Sequence, residues 1–160
     1  MRLIGKHVAV LIEEGFEDLE FWVPVMRLQE EGAQVIVVGL EAGKIYKGKA
    51  CLTAKSDVAA SAVEADNFDA VVVPGGWAPD KLRRYESIKS LVRGVHDQNK
   101  IVGLICHAGW VGISAGIVHK GTKAVGSIGI KDDIENAGGV WVDEPAFRDG
   151  NIVWGRVVAD

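Results

Sequence analysis

Short, almost continuously apolar runs alternate with longer amphipathic stretches along most of this chain. Four of the apolar runs are rich in valine and isoleucine: residues 7–14, residues 33–40, "FDAVVV" and "KIVGLIC". Two of the longer stretches, residues 16–32 and 80–99, place apolar side chains at helical spacing. A strand that is apolar throughout is buried on both faces, and strands joined through helices pair in parallel, because each crossover helix covers a face of the sheet. The pattern therefore predicts an α/β sandwich.

The remaining stretches add shorter elements, and no repeat or linker separates them, so we expect one domain over residues 1–160. Pro24 is expected in or near the first turns of the first helix, where it can bend that helix. The other expected elements are a short hairpin around Gly43 and Gly48, a helix from about Ala108 to Ile117, a strand near Ala124-Val125, a capped turn in "GIKDDIENAGG", and two β runs, "VWVD" and "NIVWGRVV", joined by a hairpin turn around Asp149-Gly150-Asn151.

Charge and composition exclude several classes of partner. The net charge of -4 comes from 18 basic and 22 acidic residues without any block of like charges, which argues against nucleic acid and anionic membranes. No apolar run approaches the roughly 18 residues of a membrane span, and the start of the chain turns polar too early for a secretory signal. We therefore expect a cytoplasmic protein that acts on small molecules or other proteins.

Only two cysteines are present, Cys51 and Cys106, and their wide separation does not fit a disulfide scaffold or a zinc site. Nothing in the sequence indicates a metal or an organic cofactor. Cys51, in "KACLTAKSD", has no polar partner nearby in the sequence and is expected to pack in the core or in a strand.

Cys106 directly follows an apolar run and precedes a helix, in "VGLICHAGW". In an open parallel sheet, ligands bind beyond the carboxyl ends of the strands, and a sharp strand-to-helix elbow exposes a nucleophile there. A helix N-terminus favours an anion, which predicts a lowered thiol pKa, and the His107 amide would point into the same space. The alternative is a buried thiol that serves only for packing.

Two further stretches point to the same edge of the sheet. Pro74-Gly75-Gly76 ends the third apolar run, so the Gly75 and Gly76 amides can face a ligand, or the stretch can be an ordinary tight turn. "EEGFEDLE" holds five acids, most of which we expect to be solvated or to cap the first helix. A carboxylate pushed into the cleft beside a thiolate would have a raised pKa and could donate a hydrogen bond to the sulfur.

Taken together and in this order, the motifs resemble the PfpI-type intracellular proteases of the ThiJ/PfpI superfamily over essentially the whole chain. The likeness rests on "FEDLEFWVP", "FDAVVVPGGWAPD", "ICHAGW", "SAGIV" and "GIKDDIENAGGVWVDEP". It implies a flavodoxin-like three-layer sandwich with a mostly parallel central sheet and a small extra β element, assembled as a homodimer or higher homo-oligomer. Relatives usually continue into a C-terminal helix beyond "WGRVVAD", so we expect part of one layer to be absent from this sequence.

The resemblance also assigns roles to individual residues. It implies that Cys106 is the nucleophile and that Glu20 is a protonated glutamate touching the sulfur, with Glu17 as another acid of the cleft. It further implies that the amides of Gly76 and His107 form an oxyanion hole.

Departures from the family pattern concern the neighbours of these residues. Where PfpI-type relatives carry a glutamate that reaches the Cys-His pair of a neighbouring subunit, this chain has Asp80, which is one methylene shorter. Ala108-Gly109 replaces the usual Gly-Pro or Ala-Pro and changes the stiffness of the elbow. Trp77 and Trp110 lie within a few residues of the site elements and are expected to form pocket walls.

Three functions are open at this point. The first is a Cys106-dependent, stress-related enzyme of the glyoxalase or deglycase kind, acting on 2-oxoaldehydes or on small acyl and peptide substrates. The second is an intracellular cysteine peptidase with a Cys106-His107-Asp80 triad across subunits. The third is not an enzyme but a peroxide-sensing or chaperone-like stress protein that uses an oxidisable Cys106.

Overall fold

A seven-stranded sheet organises the fold, and the computed structural model describes all residues from 1 to 160. The strands are β1 (His7–Leu11), β2 (Gln34–Gly39), β3 (Ile45–Lys47), β4 (Thr53–Lys55), β5 (Val58–Ala59), β6 (Ala70–Val73), β7 (Ile101–Ile105), β8 (Lys123–Ala124), β9 (Val140–Trp141), β10 (Ala146–Asp149) and β11 (Ile152–Gly155). The helices are α1 (Asp18–Glu30), α2 (Ala78–Leu82), α3 (Glu86–Asp97), α4 (Gly109–Ser114) and α5 (Lys131–Asn136).

The strand order across this sheet is β10-β11-β7-β6-β1-β2-β5, and every neighbouring pair is parallel except β10 with β11. The five central strands thus follow the flavodoxin-like order. In this order β2 lies on one side of β1, and β6, β7 and β11 follow one another on the other side. β1 and β6 are interior strands, and most of their valines are buried in the core. Val10 of β1 lies in register with Val37 and Val72. The predicted α/β sandwich with a mostly parallel sheet is confirmed.

The chain reverses its direction of travel across the sheet between β1 and β6. From β1 it moves outward through α1 to β2, whereas from β6 it moves the opposite way through α3 to β7. Since such crossovers are right-handed, α1 and α3 cover opposite faces of the sheet. The loops after β1 and β6 therefore diverge and leave a crevice at the carboxyl ends of the strands, which is where ligands bind in open α/β sheets.

The helices differ in detail from the sequence prediction. Pro24 lies inside α1, in its second turn, as expected. Residues 80–99, predicted as one helix, form α2 and α3 with a break around Arg83–Tyr85. The helix expected from Ala108 to Ile117 shortens to the six residues of α4. None of the helices has both the length and the apolar character that crossing a membrane requires.

Smaller β elements flank the main sheet. The predicted hairpin after β2 is confirmed as the antiparallel pair β3–β4. The predicted turn at Asp149-Gly150 also forms a hairpin, but its first strand is β10, because "VWVD" instead contributes β9, which pairs in parallel with β8. The stretch "GIKDDIENAGG", expected to be a turn, contains α5, whose buried Ile134 anchors it to the core.

Candidate active site

Cys106 lies at a sharp elbow between β7 and the 3-10 turn Cys106–Ala108, as the sequence predicts. Its φ of 61° is in the left-handed region, where a residue with a side chain is strained by about 1–3 kcal/mol. The surrounding backbone holds this conformation, because the Cys106 carbonyl accepts a hydrogen bond from the Ser127 amide at 3.1 Å. The elbow thus points a thiol into the crevice at the carboxyl end of the sheet.

Two backbone amides act on the sulfur. The amides of His107 and Gly76 lie close enough to the Cys106 thiol to lower its pKa. Gly76 has a φ of 80°, and a Cβ atom there would lie 2.5 Å from both the Gly15 carbonyl oxygen and the Glu17 amide nitrogen. Only glycine therefore lets the loop after β6 come this close to the loop after β1.

The neighbouring glycine plays a different part from the one expected. The Gly75 amide donates a hydrogen bond to Glu20 Oε2 at 2.7 Å, so it is not free to face a ligand. A Cβ atom at Gly75 would lie 2.4 Å from Glu20 Oε2 and 2.7 Å from Cys106 Cβ. Gly75 thus positions the acid and allows carboxyl and thiol to approach each other.

Glu20 is a buried acid in the first turn of α1, only 2% exposed. Burial raises the pKa of its carboxyl and the charge of Glu17 raises it further, while the Gly75 amide acts in the opposite direction. Its Oε1 atom is buried without a hydrogen-bond partner. Glu17 orients this turn, because its Oε2 caps α1 by accepting the Glu20 amide at 2.8 Å.

The thiol is less acidic than the sequence analysis predicted. Burial, followed by the charge of Glu20, raises the pKa of Cys106 from 9.0 to about 11, although the two backbone amides oppose this. The expected lowering relied on a helix N-terminus at Cys106, but the α-helix begins only at Gly109 and is short. Burial and the Glu20 charge therefore outweigh any helix-dipole effect on the thiol.

His107 is placed to exchange a proton with Cys106. Its Nδ1 lies 3.3 Å from the Cys106 sulfur, and its ring packs against Trp110 with 5.2 Å between the ring centroids. Burial, and then the positive charge of Lys49, lower the pKa of the imidazole below 6.5. The ring is therefore neutral at pH 7 and available as a base.

Asp80 lies in the first turn of α2, at the edge of the same cleft, but it makes no hydrogen bond to His107 within this chain. Its carboxylate instead pairs with Arg84, one turn further along the chain. A contact with a neighbouring subunit would have to compete with this ion pair.

An open cleft of about 400 Å³ lies beside the elbow. Trp77 is 63% exposed at its mouth, and the Trp110 indole nitrogen donates to Asp133 Oδ2 at 2.7 Å, which fixes that ring. Both tryptophans thus line the cleft, where the sequence placed them. The full lining consists of Lys49, Gly76, Trp77, Asp80, Lys81, His107 and Trp110.

Sequence reasoning missed Lys49, which reaches the cleft from the turn between β3 and β4. Its Nζ lies 5.6 Å from the centroid of the Trp77 ring. A lysine in a polar hairpin carries no signal that distinguishes it from any surface lysine, so only the three-dimensional arrangement places it here.

The acidic stretch and Cys51 also depart from expectation. Glu13, Asp18 and Glu20 are all buried, so most of the five acids are not solvated. Asp18 accepts hydrogen bonds from the Ala50 and Leu52 amides at 2.7 and 2.8 Å and thereby fixes the hairpin turn that contains Cys51.

Cys51 itself is exposed with a φ of 75°, which corrects the expectation of a packed core cysteine. No cluster of three or more His, Cys, Asp or Glu side chains has a metal-ligating arrangement.

The fold and the site define a flavodoxin-like α/β protein with a cysteine at a strand-to-helix elbow. Residues 6–160 match the DJ-1/PfpI family, and the chain therefore belongs to that family. It is 42% identical to a protein of Pyrococcus horikoshii named a deglycase, over 96% of this chain and 91% of that protein. A Bacillus subtilis protein provisionally named a cysteine protease is 36% identical, over 98% and 92% of the two chains.

Solved structures agree with this assignment. A two-domain protein of Anabaena variabilis, described as containing DJ-1/ThiJ/PfpI-like and ferritin-like domains, superposes with a TM-score of 0.92 at 39% identity. The match covers 94% of this chain and 43% of that longer protein. The predicted resemblance to the superfamily is confirmed.

Proposed function

We propose that this protein is a cysteine-dependent enzyme that converts 2-oxoaldehydes and related reactive carbonyl compounds, with Cys106 as the nucleophile. The observation that carries the proposal is the strained elbow at Cys106, whose sulfur meets two backbone amides and the buried acid Glu20. Such an arrangement can attack a carbonyl carbon and hold the negative charge that develops on its oxygen.

Cys106 and Glu20 are placed to exchange one proton. Burial raises the pKa of both groups, and the Glu20 charge raises that of Cys106 further, so the pair resists carrying two negative charges at once. When the proton resides on Glu20, the repulsion between carboxylate and thiolate disappears and the carboxyl can donate to the sulfur. His107 offers a second place for the thiol proton, since its neutral ring lies beside the sulfur.

The first step forms a hemithioacetal. The sulfur attacks the aldehyde carbon, the carbon–oxygen π electrons move to the oxygen, and that oxygen takes up a proton supplied by Glu20 or His107. The amides of Gly76 and His107 stabilise the charge on the oxygen before the proton arrives.

The following steps need only proton transfer and water. The proton on the former aldehyde carbon moves to a base of the site and is returned to the adjacent carbon, while the two oxygens exchange carbonyl and hydroxyl character. The resulting thioester is hydrolysed by one water molecule, which releases a 2-hydroxy acid and frees the thiol. Methylglyoxal plus water would give lactate, and neither an oxidant nor a reductant is consumed.

The relatives named as deglycases support reactive carbonyl chemistry for this chain. The provisional name of the Bacillus subtilis relative keeps a second candidate open, a peptidase that uses Cys106, His107 and Asp80. That mechanism requires Asp80 to leave Arg84 and reach His107 of a neighbouring copy in a homodimer or larger assembly. A carbonyl enzyme needs no such rearrangement, and for this reason we place it first.

A peroxide sensor is the non-enzymatic alternative. A sensing cysteine reacts as a thiolate, as does the nucleophile of a carbonyl enzyme, so the raised pKa of Cys106 does not separate the two functions. They differ in stoichiometry, because a sensor reacts once per thiol, and the relatives named as deglycases support the enzyme.

The test is to give the purified protein a large excess of methylglyoxal and to count the lactate molecules formed per protein chain. We expect many turnovers. Consumption of a single equivalent, with a stable adduct on Cys106, would contradict the enzyme and favour a reactive but non-catalytic thiol.

A further inference from the structure

Lys49 brings a positive charge to the cleft from outside the motifs that form the elbow. Its ammonium group lies over the Trp77 ring and makes no hydrogen bond or ion pair with any acceptor of the chain. Its charge reaches both neighbours of the nucleophile: after burial it contributes to the lowered pKa of His107, and it slightly offsets the raised pKa of Glu20.

The turn that carries Lys49 is firmly held. The Lys49 amide donates to the Phe16 carbonyl at 2.9 Å, and the buried Asp18 carboxylate fixes the two amides at Ala50 and Leu52. Gly48 packs directly on that carboxylate, where a Cβ atom would lie 2.6 Å from it. The ammonium is thus presented by an ordered backbone, which reduces the entropy lost when it binds an anion.

The other charged groups of the cleft already have partners. Asp80 pairs with Arg84, and Lys81 Nζ donates to the Glu14 carbonyl at 3.1 Å. Lys49 is therefore the one lysine of the cleft lining whose ammonium has neither a hydrogen-bond acceptor nor an ion-pair partner in the chain.

We propose that Lys49 is a specificity-determining residue that selects carbonyl substrates bearing a carboxylate on the side of the cleft walled by Trp77. This inference rests on the proposed function and narrows its substrate class from neutral 2-oxoaldehydes to 2-oxoaldehydes and glycated compounds with a carboxylate group. The ammonium orients the anion, and the indole face packs on the chain that links it to the reacting carbonyl.

The test uses iodoacetate and iodoacetamide, two alkylating reagents of similar size that differ in a carboxylate. Each is attacked by the Cys106 sulfur at its methylene carbon, and iodide leaves. Rates are measured at Cys106 by peptide mass spectrometry in a Cys51→Ser background, so that the exposed second thiol does not contribute. The variants are Lys49→Met, Lys49→Arg and, as a matched control on the same hairpin, Lys47→Met.

We expect Lys49→Met to lower the ratio of the iodoacetate rate to the iodoacetamide rate by about three- to fivefold, the size of a partly exposed ion pair. Lys49→Arg should retain the ratio, and Lys47→Met should leave it unchanged. Added salt should lower the ratio in the parent but not in Lys49→Met. An unchanged ratio in Lys49→Met, or equal losses with both reagents, would overturn the proposal.

This readout is independent of turnover. Methylglyoxal carries no charge, so its conversion tests the proposed function without involving anion recognition. A lowered alkylation ratio without conversion of methylglyoxal would retain Lys49 as an anion-selecting residue and reject the carbonyl enzyme. Conversion of methylglyoxal with an unchanged alkylation ratio would support the carbonyl enzyme and reject Lys49 as an anion-selecting residue. If the proposed function and the role of Lys49 both hold, 4,5-dioxopentanoate should be a better substrate than its methyl ester. Lys49→Met should remove this difference in kcat/KM, mainly through a change in KM.

Discussion

The Gly75 amide donates a 2.7 Å hydrogen bond to Glu20 Oε2 and so ties the loop after β6 to the first turn of α1. This bond crosses the point where the chain reverses its direction in the sheet, the place at which an α/β fold opens a crevice. It holds a buried acid against the Cys106 elbow.

Replacing Glu20 by Gln should make the Cys106 thiol easier to ionise and at the same time slow the reaction. Loss of the negative charge should lower the pKa of Cys106, because the Glu20 charge raises it. Turnover of methylglyoxal should nevertheless fall by about 10²- to 10⁴-fold, since the amide cannot relay a proton. The thiolate absorbance at 240 nm as a function of pH measures the first effect, and lactate formation measures the second. Glu30→Gln, on the exposed end of the same helix, is the control. A variant with a lower thiol pKa and full activity would remove Glu20 from the proton relay.

Gly75→Ala should disrupt the site through sterics alone. The added methyl group would lie far inside van der Waals contact with both Glu20 and Cys106. We expect at least a tenfold loss of activity together with a lower melting temperature. Gly103→Ala in β7 is the matched control, because its nearest neighbour would lie at an ordinary 3.5 Å. Near-normal activity of Gly75→Ala would mean that this close approach is not needed.

Stability at alkaline pH should depend on Cys106. Its pKa is raised from 9.0 to about 11 in the folded protein, so the folded state keeps a proton that the unfolded chain loses first. The associated stability is present below pH 9 and is lost as the pH rises toward 11. Urea unfolding between pH 8 and 11 should therefore show a smaller loss of unfolding free energy in Cys106→Ser than in the wild type. Parallel curves for the two proteins would contradict the burial of the thiol beside Glu20.

Asp18→Asn should destabilise the protein by about 1–3 kcal/mol, because the carboxylate is buried and accepts two backbone amides that one amide oxygen cannot serve equally well. Chemical denaturation measures the change, and Asp132→Asn on the exposed side of α5 is the control. Unaltered stability would show that the hairpin turn is not anchored by Asp18.

Trp110→Phe should change the choice of substrate more than the chemistry. The indole forms a wall of the cleft beside His107 and is fixed by Asp133, but it does not touch the sulfur. Relative rates with methylglyoxal and phenylglyoxal should shift, while the pH dependence of the reaction stays the same. Equal relative rates before and after the substitution would show that Trp110 does not shape the pocket.

The sequence was sufficient for the five central strands of the sheet and for the elbow, because both depend on local patterns, whereas the edge strands β5 and β10 were not predicted. Apolar runs of strand length and the glycines after β6 predicted where the parallel strands end, and Cys106 was placed by its position between a strand and a helix. The second arm of the β10 hairpin was also predicted correctly. Its first arm was not, because β9 and β10 are both short and only long-range pairing shows which of them joins β11.

What the sequence could not predict depends on contacts between distant segments. The thiol pKa is set by burial and by Glu20, 86 positions earlier in the chain, and not by the local helix. The role of Gly75 depends on the same acid. In the sequence, Asp18 resembles a solvated helix-capping acid, whereas in the structure it accepts hydrogen bonds from the turn between β3 and β4. The same turn brings Lys49 to the cleft.

Whether Cys106 performs the proposed carbonyl chemistry is measured by comparing three proteins at equal concentration. Loss of methylglyoxal and formation of lactate are followed together for the wild type, Cys106→Ser and Cys51→Ser. We predict that the wild type and Cys51→Ser form one lactate per methylglyoxal lost over many turnovers, whereas Cys106→Ser falls to the rate of buffer. Lactate formation by Cys106→Ser at the wild-type rate would show that the reaction does not depend on Cys106.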